Sequence, residues 1–304
     1  MNVRNDNQVV VKDVSLFINA DFNQADENIA KKFPPIKSRQ IITDYIYVDI
    51  LPEKLCLKIF SACMPKGQSD ATLQFGQLYS FIRENAPHSS RFIWDPDEKL
   101  QIVLALSRII HPTTISNKYS ARIINDNYEI IPGPVDAFGA HAWVSNNDVR
   151  NWLTEIEGKE LALLVEAYFR TQFPKRIRQA IWLLEYAFRT EFIDIRWPLI
   201  CMGFESLIHT DYSHSTKQFS ERVAKLAEII GRYDFSKEKA KDAYIARSSL
   251  VHGQLLDNLE NDKLRLYEEL ENLLREIIKK AIIDNSFALI FSTDNDIKNN
   301  LPIE

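Results

Sequence analysis

Glycine is scarce, at 8 in 304 residues, and none of it falls into a phosphate-cradling pattern. The chain has no Walker loop, no dinucleotide fingerprint and no nucleophile elbow, so nucleotide-driven and serine-hydrolase chemistries have no sequence support. Cysteine is also sparse. Cys56, Cys63 and Cys201 are odd in number and form no CxxC, which argues against a secreted disulfide scaffold and for the reduced thiols of a cytoplasm. The longest apolar run, residues 197–208, is about twelve residues long and contains Glu205. A bilayer span needs ~18–20. The start, Met-Asn-Val-Arg-Asn-Asp, lacks the apolar core of a signal peptide. Nor is there a surplus of positive charge: 37 Lys and Arg stand against 42 Asp and Glu, a net charge of −5. That excludes a generic basic nucleic-acid coat but leaves room for a local basic patch. His209, Asp211 and His214 share one loop without further ligands at a metal-site spacing, so neither a metal nor a cofactor is expected. The expectation is a cytoplasmic protein with no membrane partner.

What is present divides near residue 146. Before it, segments 9–18, 41–50, 55–63 and 119–131 are rich in β-branched and aromatic residues and read as strands. A helix is expected over 97–110, with Asp95 as cap and Pro96 in its first turn. After it, helical periodicity takes over. Residues 176–192 place Ile177, Ala180, Ile181, Leu184 and Phe188 on one face. Pro198 suits the first turn of the next helix, whose near-complete apolarity predicts a central, buried element. Ser215 and Gln218 form a capping-box pattern before the stripe Phe219, Val223, Leu226, Ala227. Ser236 caps a helix that ends near Gly253, and 259–283 carries Tyr267, Leu270, Leu274, Ile277 and Ala281 at steps of three and four. The expected fold is α+β: an N-terminal mixed α/β domain (1–146), followed by a C-terminal antiparallel α-helical bundle (147–304).

Two charges stand where the pattern demands apolar residues. Arg247 falls in the middle of the face formed by Ala240, Ala243, Tyr244, Leu250 and Val251. Glu205 is the lone charge in its apolar run. A guanidinium there needs charged and hydrogen-bonded partners, and a carboxylate needs a cation. An Arg247–Glu205 pair would order the bundle; it would also orient Arg247 toward a phosphate, and both roles can hold together. His252 lies in the final turn, and a residue that donates and accepts protons near neutrality suits general acid–base chemistry. Arg247 and His252 diverge by roughly 140° on an ideal helix, so they could flank a substrate at its end. Ser248 lies one turn before His252 on the same side.

The string Tyr244-Ile-Ala-Arg247-Ser248-Ser-Leu-Val-His252-Gly253 resembles the R-x4–6-H motif of the HEPN superfamily. The text around it, Arg196-Trp197-Pro198, Phe204-Glu205-Ser206-Leu207, Gln218-Phe219 and Arg222, is similar to the ApeA-like branch. Arg83 and His88 repeat the bare spacing, but Pro87 intervenes and no helical stripe surrounds them. The resemblance covers about residues 150–285. It implies a HEPN-like bundle, a homodimer, RNA as substrate, and metal-independent cleavage by the 2′-hydroxyl to a 2′,3′-cyclic phosphate. Carried over by position, Arg247 stabilises the phosphorane charge and His252 moves protons, with Glu205, Ser248 and Tyr244 in support. It further implies a defence or toxin-like setting with an antitoxin or defence-system partner. Ser248 replaces the Asn, Asp or His that follows the arginine in many active members, and Gln254 replaces the tyrosine of the HepT type. A non-catalytic RNA-binding or scaffold module of the same fold is the alternative.

Arg170, Lys175, Arg176 and Arg178, with Arg189 and Arg196 beyond them, interleave with Tyr168, Phe173, Trp182 and Tyr186. They form the candidate RNA-backbone patch, against the plain alternative of a solvated helix face.

Overall fold

The computed structural model describes residues 11–18, 39–44, 46–50, 53–63, 79–84, 95–113, 116–124, 129–135, 152–210, 213–253 and 261–303. Two compact units emerge. One holds residues 1–104, 113–142 and 150–162; the other holds 105–112, 143–149 and 163–304.

The first unit contains a six-stranded antiparallel sheet in the order β2-β3-β4-β1-β5-β6, with β1 (Val11–Ile18), β2 (Gln40–Ile41), β3 (Ile46–Ile50), β4 (Tyr79–Glu84), β5 (Ser116–Ile124) and β6 (Glu129–Val135). Segment 41–50, expected as one strand, is a hairpin. The Thr43 hydroxyl accepts the Ile46 N–H at 3.0 Å, and Ile42, Ile46 and Val48 are buried. Segment 119–131 likewise resolves into β5 and β6. Segment 55–63 is a correction: it is the helix α1 (Glu53–Cys63), with Leu55 and Ile59 buried one turn apart. Helix α2 (Asp95–Ile110) keeps Pro96 in its first turn but begins at Asp95, the expected cap, and α3 spans Glu155–Arg170. The Trp152 indole N–H donates to Gln40 Oε1 at 2.8 Å, and Gly158 lies against that same amide, where a Cβ would stand 3.0 Å from Oε1.

The second unit contains α4 (Lys175–Phe188), α5 (Ile193–Leu207), α6 (Ser215–Ile229), α7 (Lys237–Val251), α8 (Asn261–Ile283) and two short helices, α9 (Asn285–Leu289) and α10 (Asp294–Asn300). The expected stripes on α4, α6 and α8 are its core: Ile177, Ile181, Leu184, Phe188, Phe219, Val223, Leu226, Tyr267, Leu270, Leu274 and Ile277 are buried. Gly203 lets α5 approach α8, since a Cβ there would meet Leu274 Cδ2 at 2.7 Å. Gly231 (φ +84°) and Gly253 (φ +78°) take the left-handed conformation that ends α6 and α7. Among the described residues, no helix is long and apolar enough to cross a membrane.

Two expectations about α5 fail. Pro198 lies well inside the helix, because α5 begins five residues earlier, at Ile193. That earlier turn is what carries Arg196 and Trp197 into the core. Nor is α5 buried all round: Ile195 is 51% and Met202 41% exposed, on a face that they share with Leu199. The capping box also fails. His214 (φ 63°) occupies the cap position of α6 without a side-chain cap, and the Gln218 amide donates to the Ser213 carbonyl at 2.9 Å instead.

The core contains charge. Arg196 Nη2 lies 3.3 Å from Glu271 Oε2, and the Tyr267 hydroxyl donates to the same oxygen at 2.8 Å; all three side chains are buried. The buried Glu185 receives both Arg108 and, at 2.7 Å, Arg189. Arg222 Nε donates to the Leu301 carbonyl at 3.2 Å, tying the end of α10 to α6. Removing one partner of a buried pair strands the other, at a cost of ~3–5 kcal/mol. Glu271→Ala is therefore expected to lose about that much stability in chemical denaturation, while Arg265→Ala, on the surface, changes it by less than ~0.5 kcal/mol.

Burial, with Glu271 beside it, pushes the Tyr267 phenol well above its ordinary value. The folded state thus holds a proton that the unfolded chain releases near pH ~10, so stability is intact below that pH and falls as pH rises beyond it. Tyr267→Phe should be less stable at neutrality yet show a shallower alkaline loss, read as unfolding free energy between pH 9 and 11.

Candidate functional site

Three helices bring the site together. The Trp197 indole N–H donates to the Ala243 carbonyl at 3.0 Å, deep in the core. Two turns further along α5, Glu205 therefore meets α7. Its Oε1 accepts from the Tyr244 hydroxyl at 2.9 Å, and its Oε2 accepts from Arg247 Nη2 at 3.2 Å. Helix α6 supplies the third wall: the Phe219 ring centre lies 4.5 Å from that of Tyr244. The Arg247 guanidinium carbon stands 5.3 Å from the Tyr244 ring centre, a cation–π distance.

The pair expected from sequence is present, but it is less buried than expected: the Arg247 side chain is 25% and that of Glu205 21% exposed. The reason is the position on α7. Ala240, Ala243 and Tyr244 are buried, whereas Val251 on the same face is exposed, so the helix emerges from the core at Arg247. Within the guanidinium, Nε is buried without a hydrogen-bond partner, and Nη2 is the nitrogen held by Glu205. The remaining edge reaches solvent. An arginine in this state is anchored at its base and able to take an oxyanion at its tip.

Burial is the largest influence on the Tyr244 phenol and raises it above its ordinary value, so it stays protonated and donates to Glu205. Burial also raises the Cys201 thiol, with Glu205 acting in the same direction. That removes Cys201 as a nucleophile.

His252 is the C-cap residue of α7 and is exposed; its N–H donates to the Ser248 carbonyl at 3.1 Å. Ser248 is half-buried on the same helix. Of the basic patch, Arg170 pairs with Glu166 on α3, and Arg176 pairs with Asp294 while donating to the Ser206 carbonyl at 3.3 Å. Lys175 and Arg178 are exposed on the first turn of α4. Arg189 and Arg196 are committed to Glu185 and Glu271. His209 Nδ1 lies 3.3 Å from Asp294; Asp211 lies outside the described residues.

The part of Phe219 as a wall of the site depends on α6 packing against α7, and the local sequence signals only a core stripe. No family model, curated protein or solved structure matches the chain.

Because the Glu205–Arg247 pair is partly hydrated, its coupling should fall between the ~0.2–1 kcal/mol of surface pairs and the ~3–5 kcal/mol of buried ones. A double-mutant cycle with Glu205→Ala and Arg247→Ala is expected to give about 1–2 kcal/mol of coupling in urea unfolding.

Proposed function

We propose that the chain is a metal-independent endoribonuclease of HEPN type, acting as a defence or toxin-like effector. The supporting observation is Arg247, braced from behind by Glu205 yet open at its tip, on a helix whose last turn presents an exposed His252. In the proposed reaction the ribose 2′-oxygen attacks the adjacent phosphorus and the P–O5′ bond breaks. The products are a 2′,3′-cyclic phosphate and a 5′-hydroxyl. Arg247 stabilises the charge that builds on the non-bridging oxygens. His252 serves the proton balance, taking the 2′-hydroxyl proton or delivering one to O5′. The need for a 2′-hydroxyl restricts cleavage to RNA. Lys175 and Arg178 are the patch cations best placed to meet a phosphate backbone, because they are exposed.

Dimerisation belongs to the same proposal. Ile195, Leu199 and Met202 give α5 an accessible apolar face, and Met202 lies one turn from Glu205. A second copy covering that face would bring two Arg247–His252 sets toward one cleft.

The test uses the purified chain with end-labelled tRNA, rRNA and mRNA in EDTA. Cyclic-phosphate ends are expected, lost in His252→Ala without change in its thermal melt, while Met202→Glu should sediment as a monomer with reduced cleavage. Cleavage that persists in His252→Ala removes the histidine from the mechanism. RNA binding without cleavage under every condition identifies the non-catalytic module instead.

A further inference from the structure

The carboxylate behind Arg247 is divided between two donors. Glu205 has two oxygens in position to take both ends of a guanidinium, and a fork-to-fork pair is the favoured geometry for arginine with a free carboxylate. Here Arg247 obtains only Oε2, at 3.2 Å, because the Tyr244 hydroxyl occupies Oε1 at 2.9 Å. Tyr244 is itself fixed by Phe219, which packs on its ring at 4.5 Å. Phe219 lies on α6 and Tyr244 on α7, so the arrangement is set by the packing of two helices and not by one flexible loop.

We propose that Tyr244, held by the packing of Phe219 on its ring, is a positioning residue that keeps Glu205 from closing on Arg247 with both oxygens, so that the outer guanidinium edge stays available to a phosphate oxyanion. The proposal rests on the phosphate-clamping role given to Arg247 above and adds the device that keeps the clamp open. Without the phenolic hydroxyl, Oε1 loses its donor, and the nearest replacement cation is Arg247. The pair then becomes bidentate and the edge meant for the ligand is consumed. A structural hydrogen bond lost from the core lowers stability and leaves the arginine no more tightly held. The loss of this one should tighten the ion pair while weakening anion binding.

Tyr244→Phe retains the ring against Phe219 and removes only the hydroxyl. It is compared with the wild type after nitrogen-15 labelling, with inorganic phosphate titrated and the Arg247 guanidinium resonances followed. In the wild type, saturable phosphate shifts and freely rotating Nη groups are expected. In Tyr244→Phe the Nη protons should become individually resolved, as rotation slows in a bidentate pair, and phosphate affinity should fall about tenfold, a single lost charge-assisted contact in size. Tyr244→Phe matching the wild type in both readouts overturns the proposal, as does a wild-type Arg247 that ignores phosphate. A wild type that binds phosphate through Arg247 but never cleaves RNA sinks the nuclease reading alone and leaves the positioning role standing.

Discussion

The hydrogen bond between the Trp197 indole and the Ala243 carbonyl sets the register on which the candidate site depends. It lies in the core, where an unmet indole N–H would be costly, so it admits little sliding of α5 along α7. Once Trp197 is fixed, the helical repeat delivers Cys201 and then Glu205 to the same seam. Glu205 arrives at the point where α7 leaves the core, which is why its partners are one buried phenol and one half-hydrated guanidinium. Had α7 emerged a turn later, the same residues would form a sealed ion pair with no chemical use.

Charge in this bundle works at two depths. Arg196 with Glu271, and Arg108 with Glu185, are far from water and act as structural fixings between helices, while Arg189, partly exposed, caps the same Glu185 from within its own helix. Arg247 with Glu205 is shallower and keeps part of its hydrogen-bonding capacity for something else. The apparent basic stretch from 170 to 196 mixes these uses. Some of its cations hold the core together, Arg176 is engaged by Asp294, and the exposed remainder is small.

How much could be seen beforehand follows from the length scale of each feature. Long periodic stripes, such as Tyr267 through Ala281 on α8, declare a helix because several turns repeat the same spacing. The segment beginning Leu55-Cys56-Leu57-Lys58-Ile59 does not; five apolar-rich positions fit either period, since Leu55 and Ile59 share a face in a strand as well as in a helix, and only the folded backbone of Glu53–Cys63 shows which applies. Segments 41–50 and 119–131 each read as a single strand because turn residues such as Thr43 and Asp44 interrupt the pattern only briefly. Arg247, Glu205 and His252 stood out as exceptions to an apolar pattern or as a helix-end residue. Arg196 could not be distinguished from its basic neighbours, since the residue that neutralises it lies 75 positions away. The place of Phe219 beside Tyr244 is hidden for the same reason: its importance comes from a neighbour on another helix. The exposed face of α5 contradicts the inference that an apolar helix is always central, because apolarity states a preference for burial and leaves open what provides it.

The left-handed glycine at 253 ends α7 one residue beyond His252, and this assigns the two key side chains to different clocks. Hydrogen bonds in a terminal turn open first and most often, whereas Arg247 sits deeper in α7 and is tethered to a second helix. The imidazole can therefore reorient on a nanosecond scale while the guanidinium keeps its station over many such excursions. In the proposed reaction, a mobile imidazole and a stationary charge would let one helix supply both agility and aim.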